Sequence, residues 1–106
     1  MSEHRRERLI AALSQLTAGF LQQHAGPQSL ITVTGLNLSS DGRRADVLLS
    51  VYPVEKEQAA LDFARRQLSE LRQHVKKNLS SRAVPRFSFE IDQGEKNRQR
   101  VEELLK

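Results

Sequence analysis

The spacing of hydrophobic residues switches between a helical and a strand period along this chain, and that succession of periods limits the available folds more than any other feature. From about Arg5 to Gln23, Leu9, Leu13, Leu16 and Phe20 recur at intervals of three and four, flanked by Ile10, Thr17 and Leu21, which describes one face of an amphipathic helix. His24-Ala25-Gly26-Pro27 should stop it, since glycine favours a C-cap and a following proline cannot continue helical hydrogen bonding. Ile31 and Val33 then alternate with Thr32 and Thr34, but Leu36 and Leu38 fall one residue out of phase. Gly35 sits at the slip, and a β-bulge there would return all four apolar residues to one face. Ser39-Ser40-Asp41-Gly42 has turn chemistry, and Ala45, Val47, Leu49 and Val51 alternate beyond it, so the two runs predict a β-hairpin that Pro53 ends.

The second half returns to a helical period. Leu61, Ala64, Leu68, Leu71, Val75 and Leu79 form a stripe from about Glu55 to Leu79, with acids at its start and Lys76 and Lys77 near its end, as the helix dipole prefers. Such a helix is long for a chain of 106 residues, so a kink or break is expected near Gln67 to Ser69. Val84-Pro85 disfavours helix, Phe87, Phe89 and Ile91 alternate as a third strand, and Val101, Leu104 and Leu105 suggest a short terminal helix. The predicted order is α-β-β-α(α)-β-α in a single α+β domain spanning 1–106, with no repeat and no linker to divide it.

Composition narrows the functions. The chain has no cysteine, which removes disulfides, thiolate metal sites and thiol nucleophiles and fits a cytoplasmic protein. No apolar run approaches the roughly 20 residues of a membrane span, and the charged start MSEHRRERLI does not resemble a signal segment. His4, His24 and His74 fall in three separate segments without metal-ligand spacing. Glu55/Glu57 and Glu102/Glu103 are helix-end acids, and there is neither a glycine-rich phosphate loop nor a nucleophile elbow, so no enzyme, metal or cofactor is expected.

The net charge of +4 is unevenly spread. Between Arg65 and Arg86, Arg65, Arg66, Arg72, Lys76, Lys77, Arg82 and Arg86 face Glu70 alone, while the rest of the chain roughly cancels. On a continuous helix, Arg65, Arg72 and Lys76 lie within about 40° of one another along the edge of the apolar stripe. Such a row can neutralise successive phosphates, and Arg82 and Arg86 would extend it past Val84-Pro85. A solvated helix face is the ordinary reading of a basic run. The shortage of compensating acids weighs against it, leaving Arg65, Arg72, Lys76, Lys77, Arg82 and Arg86 as candidate RNA contacts if a resemblance elsewhere in the chain points to RNA.

Arg43 and Arg44 at the hairpin turn form a possible secondary contact, with Asp41 and Asp46 close by in sequence. Arg5, Arg6 and Arg8 are interleaved with Glu3 and Glu7 at helical pairing distance and are expected to be spent on them. Phe87 and Phe89 should fill the core rather than stack on bases.

Taken in order, Pro27, Val33-Thr34-Gly35, Ser39, Asp41, Ala45, Val47, Arg72, Arg82, Val84-Pro85, Phe89 and Asp92 resemble the ribosome-binding factor A family, with matching spacings from about Pro27 to Asp92. The resemblance implies a domain like the type II K-homology fold, a three-stranded sheet packed against helices, as the periods also suggest. It further implies a factor that binds the small ribosomal subunit and assists late maturation of its 16S rRNA; a monomer without a small-molecule substrate is expected. The family usually carries an Ala-x-Gly interruption between its second and third helices, where this chain has Gln67-Leu68-Ser69, and a serine can bend a helix by back-bonding. It often has Asp-Pro-Arg-Leu where this chain has Gly26-Pro27-Gln28-Ser29. Two rival readings are a protein-interaction module, its long amphipathic helix docking a partner helix, and a general RNA chaperone of similar fold.

Overall fold

The computed structural model describes residues 2–79 and 83–105. Helix α1 runs Glu3–His24, strands β1 and β2 run Leu30–Leu38 and Arg44–Tyr52, and a short 3-10 turn at Val54–Lys56 leads into α2, Glu57–Arg66. Then follow α3 at Leu68–Asn78, β3 at Arg86–Ile91 and α4 at Gln93–Leu105. The order matches the periods in the sequence.

Helix α1 starts where the Ser2 hydroxyl accepts the Arg5 amide, 3.2 Å away, which satisfies one of the free N–H groups of the first turn. It ends within the expected segment by a different device. Ala25 closes it in an extended conformation (φ −75°, ψ 141°), and Gly26 is not left-handed.

The sheet has the order β1-β2-β3, with β2 antiparallel to β1 and parallel to β3. The expected bulge is present. Val33 opposes Leu49 and Gly35 opposes Leu48, so Thr34 is the extra residue, and Ile31, Leu36 and Leu38 all turn to the buried face. The hairpin connection is built from side chains as well as backbone. Gly42 donates to the Ser39 carbonyl with φ 74°, Asp41 accepts from the Ser39 hydroxyl and the Arg43 amide, and Ser39 Oγ accepts the Arg44 amide. Each of these loop N–H groups thus has an acceptor in place of the strand partner it lacks.

Helices α1, α2 and α3 cover one face of the sheet. Leu13, Phe20 and Leu21 of α1, Ala60 and Ala64 of α2, and Leu71 and Val75 of α3 enclose Ala45, Val47, Leu49, Phe87 and Phe89. Both phenylalanines are therefore core residues. Much of the apolar stripe of the second half is spent here, with Ala64, Leu71 and Val75 buried and Leu61, Leu68 and Leu79 partly so.

The expected interruption falls at Gln67, where φ −92° and ψ 4° end α2, and its N–H is shared between the Phe63 and Ala64 carbonyls. No glycine is needed because this backbone lies at negative φ. The hinge is Gln67 rather than a back-bonded serine, since Ser69 is already inside α3.

Helix α4 differs from the others in burying none of its residues. Val101, Leu104 and Leu105 are 54%, 79% and 81% exposed, so the apolar residues that predicted the helix do not reach the core. Its start is fixed by Asp92, whose Oδ1 accepts the Glu95 amide at 3.0 Å and whose Oδ2 accepts the Thr34 hydroxyl at 2.7 Å. The bulge residue of β1 thereby ties down the cap of α4, and both interactions hold the Asp92 carboxyl below the usual carboxylate range, Thr34 most of all. Further along, Lys96 pairs with Glu57 at 3.0 Å, and Arg98 pairs with Glu95 and Glu102.

Candidate nucleic-acid interface

The break at Gln67 changes the predicted row of cations. A phase of 100° per residue cannot be carried across a residue with ψ near zero, so Arg65 and Arg72 do not share one face. Arg65, on α2, donates to the Phe89 carbonyl at 3.3 Å, and lines a recess with Leu48, Leu61, Glu90 and Ile91. Arg72, on α3, donates to the Pro85 carbonyl at 2.5 Å. The two guanidinium groups thus clamp opposite ends of β3, and Arg65 leaves the row that Arg72 and Lys76 continue.

That clamp builds a groove. Ser69, Arg72, Gln73 and Lys76 of α3 face Val84 across a shallow depression of about 230 Å³. The Pro85 carbonyl held by Arg72 immediately precedes Arg86, whose own amide donates to the Arg43 carbonyl at 2.8 Å. Two segments that are distant in sequence, the basic face of α3 and the hairpin arginines, therefore meet at the start of β3. Lys76, Lys77 and Arg86 are exposed, and Arg66 lies apart, beside Ala25 and Gly26. Arg82 lies outside the described residues.

The hairpin arginines are not equivalent. Arg43 sits beside Asp41, whose carboxyl is held below its usual range chiefly by the Ser39 hydroxyl, with the Arg43 amide and charge assisting. Arg44 forms no ion pair among the described residues, and Asp46 accepts the Ser88 hydroxyl at 2.7 Å.

The amino-terminal arginines also behave differently from expectation. Glu3 and Glu7 form no ion pair with Arg5, Arg6 or Arg8 among the described residues. Arg6 instead donates to the Ser39 carbonyl at 3.0 Å and to the Leu38 carbonyl, locking the start of α1 over the hairpin turn. Arg5 and Arg8 remain exposed at the same end of the sheet. Local spacing along one helix cannot reveal an acceptor more than thirty residues away.

Of the histidines, two converge in space. His24 stacks on Phe20 with ring centroids 4.1 Å apart, and His74 approaches the same ring at 5.5 Å. No cluster of three or more metal-ligating side chains occurs among the described residues, and no helix of theirs is long and apolar enough to cross a membrane.

A mixed three-stranded sheet in the order α-β-β-α-α-β-α, with helices on one face and a broken helix pair leading into the parallel strand, defines a K-homology-like domain. The wider comparison is more specific. The chain belongs to the ribosome-binding factor A family, which matches residues 3–105. A ribosome-binding factor A of Koribacter versatilis is 34% identical over 107 residues, covering 98% of this chain and 87% of the relative. The crystal structure of ribosome-binding factor A from Thermus thermophilus superposes with a TM-score of 0.73 at 27% identity, covering 80% of this chain and 92% of that one. A homology model of the Thermus thermophilus factor, fitted into a cryo-EM map of a 30S complex, gives a TM-score of 0.70 at 27% identity, with coverages of 78% and 90%.

Proposed function

We propose that this protein is a ribosome assembly factor that binds the small ribosomal subunit and assists late maturation of its 16S rRNA, acting by holding an RNA conformation rather than by chemistry. The observation that carries the reading is the groove between α3 and the lead into β3, where Arg72 and Lys76 line the wall and Arg72 holds the Pro85 carbonyl. It gains support from the relative seen in a 30S complex. The main contacts are Arg72, Lys76, Lys77, Arg82 and Arg86, with Arg43 and Arg44 secondary. Arg65, engaged at Phe89, is a marginal contact and chiefly braces β3. In this reading the protein works as a cytoplasmic monomer of one domain, without cofactor or small-molecule substrate.

Phosphate contacts release counterions, so binding should weaken with salt by about 0.9 units of log-log slope per phosphate neutralised on paired RNA. The test is co-sedimentation with free small subunits and with whole ribosomes through sucrose gradients at low and moderate salt. Lys76→Glu/Lys77→Glu is the informative variant, because both side chains are exposed and neither forms an ion pair among the described residues; circular dichroism checks that it stays folded. Wild type should track the free small subunit and the variant should not. Salt-insensitive association would sink the reading. Equal binding to unrelated RNAs would support a general chaperone instead, and a complex that survives ribonuclease would point to a protein partner.

A further inference from the structure

We propose that Arg44 and Arg86 form a second phosphate-binding site on the open face of the sheet, so that a bound RNA backbone turns round the start of β3 from the α3 groove onto that face. The proposal rests on the RNA-binding reading and adds the part of the ligand that this corner takes.

Arg44 and Arg86 are register partners on the parallel strands β2 and β3, and both are exposed. Neighbouring strands lie roughly 4.8 Å apart, which sets two guanidinium stems side by side on one surface. Like charges at such positions repel each other and destabilise a sheet. No acid closes an ion pair with either guanidinium among the described residues. Asp46, the nearest acid along β2, bonds Ser88 in the next row that faces outward, and Asp41 bonds the Ser39 hydroxyl and the Arg43 amide. Among the described residues, neither the Arg44 nor the Arg86 guanidinium forms an ion pair or a hydrogen bond, and Arg44 bonds Ser39 only through its amide.

Two guanidinium groups without an ion-pair partner suit a phosphate, whose oxygens can accept from both forks at once. The surroundings decide between backbone and base. Phe87 and Phe89 point into the core, and the exposed Tyr52 lies at the far end of β2, so no aromatic surface stands beside the pair on which a base could stack. The ligand is therefore the sugar-phosphate backbone of a folded RNA rather than splayed bases. Continuity with the groove is built in, because Arg72 holds the Pro85 carbonyl and Arg86 is the next residue.

The experiment is a titration of the full chain with a short RNA hairpin, followed by NMR at the arginine Nε–H and lysine Nζ groups, and repeated with Arg44→Gln. The Arg44 and Arg86 signals should shift and saturate together with that of Lys76. Arg44→Gln should lower the log-log salt slope by about 0.9 while leaving the fold unchanged. If Lys76 responds while Arg44 and Arg86 do not, the sheet site is wrong and the groove reading survives. A response of Arg44 and Arg86 without Lys76 supports the site and removes the groove. Silence at all three overturns both.

Discussion

Thr17 lies at the centre of the helical layer with no exposed surface, and its hydroxyl has no hydrogen-bond partner. A buried hydroxyl without a partner has lost its water for nothing, whereas valine has nearly the same shape and no polar atom to desolvate. Thr17→Val should therefore stabilise the protein by roughly 1 kcal/mol, seen as a higher urea midpoint at unchanged slope. Carboxylates act in the opposite sense. Asp41, Asp92 and Glu95 are all held below their ordinary range, by the Ser39 hydroxyl, the Thr34 hydroxyl and the Arg98 guanidinium respectively. A group depressed in the folded state gives stability that is complete above its unfolded value near pH 4 and lost as the pH falls through the folded one. Melting temperature should thus drop as the pH is taken from about 5 towards 3. The drop should be shallower in Thr34→Val, which removes the largest cause acting on Asp92.

At the scale of elements, periodicity made the helices and strands legible, down to the bulge at Gly35 and the interruption near Gln67. It did so because each pattern reflects which residues face the same core. What it could not supply was the partner of a side chain. Arg6 on the Leu38 and Ser39 carbonyls, Arg72 on Pro85, and Thr34 on Asp92 each join segments that only the folded topology brings together. The candidate interface was read only in part for the same reason. Its residue types and the basic segment were visible, but the division of Arg65 from Arg72 followed from a single residue near ψ 0°. Helix α4 shows the limit most plainly, since its pattern predicted a helix correctly while its apolar residues stayed in solvent. Leu104→Ser should therefore change unfolding free energy by less than about 0.5 kcal/mol in chemical denaturation, against about 2–5 kcal/mol for Leu71→Ala in the core.

Across the whole molecule, arginines outnumber the acids Glu3, Glu7 and Asp41 at one end of the sheet. The end where β1 turns into β2 and β3 begins holds Arg5, Arg8, Arg43, Arg44 and Arg86, with Arg72 just behind. Away from that end, Glu57 pairs with Lys96 of α4, whose Arg98 is paired with Glu95 and Glu102. Attraction of this sort acts before contact and is weakened by salt. Stopped-flow association with the small subunit should slow markedly between low and moderate salt, with a smaller change in the dissociation rate. Glu102→Gln should leave the association rate nearly unchanged, because that charge sits far from the contact.

The parallel pairing of β2 with β3 has one more consequence. Because β3 runs alongside β2, its first residue lands next to the hairpin turn, and the positive end of the sheet is completed only when the third strand docks. A polyanion would be drawn first to that cluster of arginines, so encounters should begin at the hairpin end rather than anywhere on the surface.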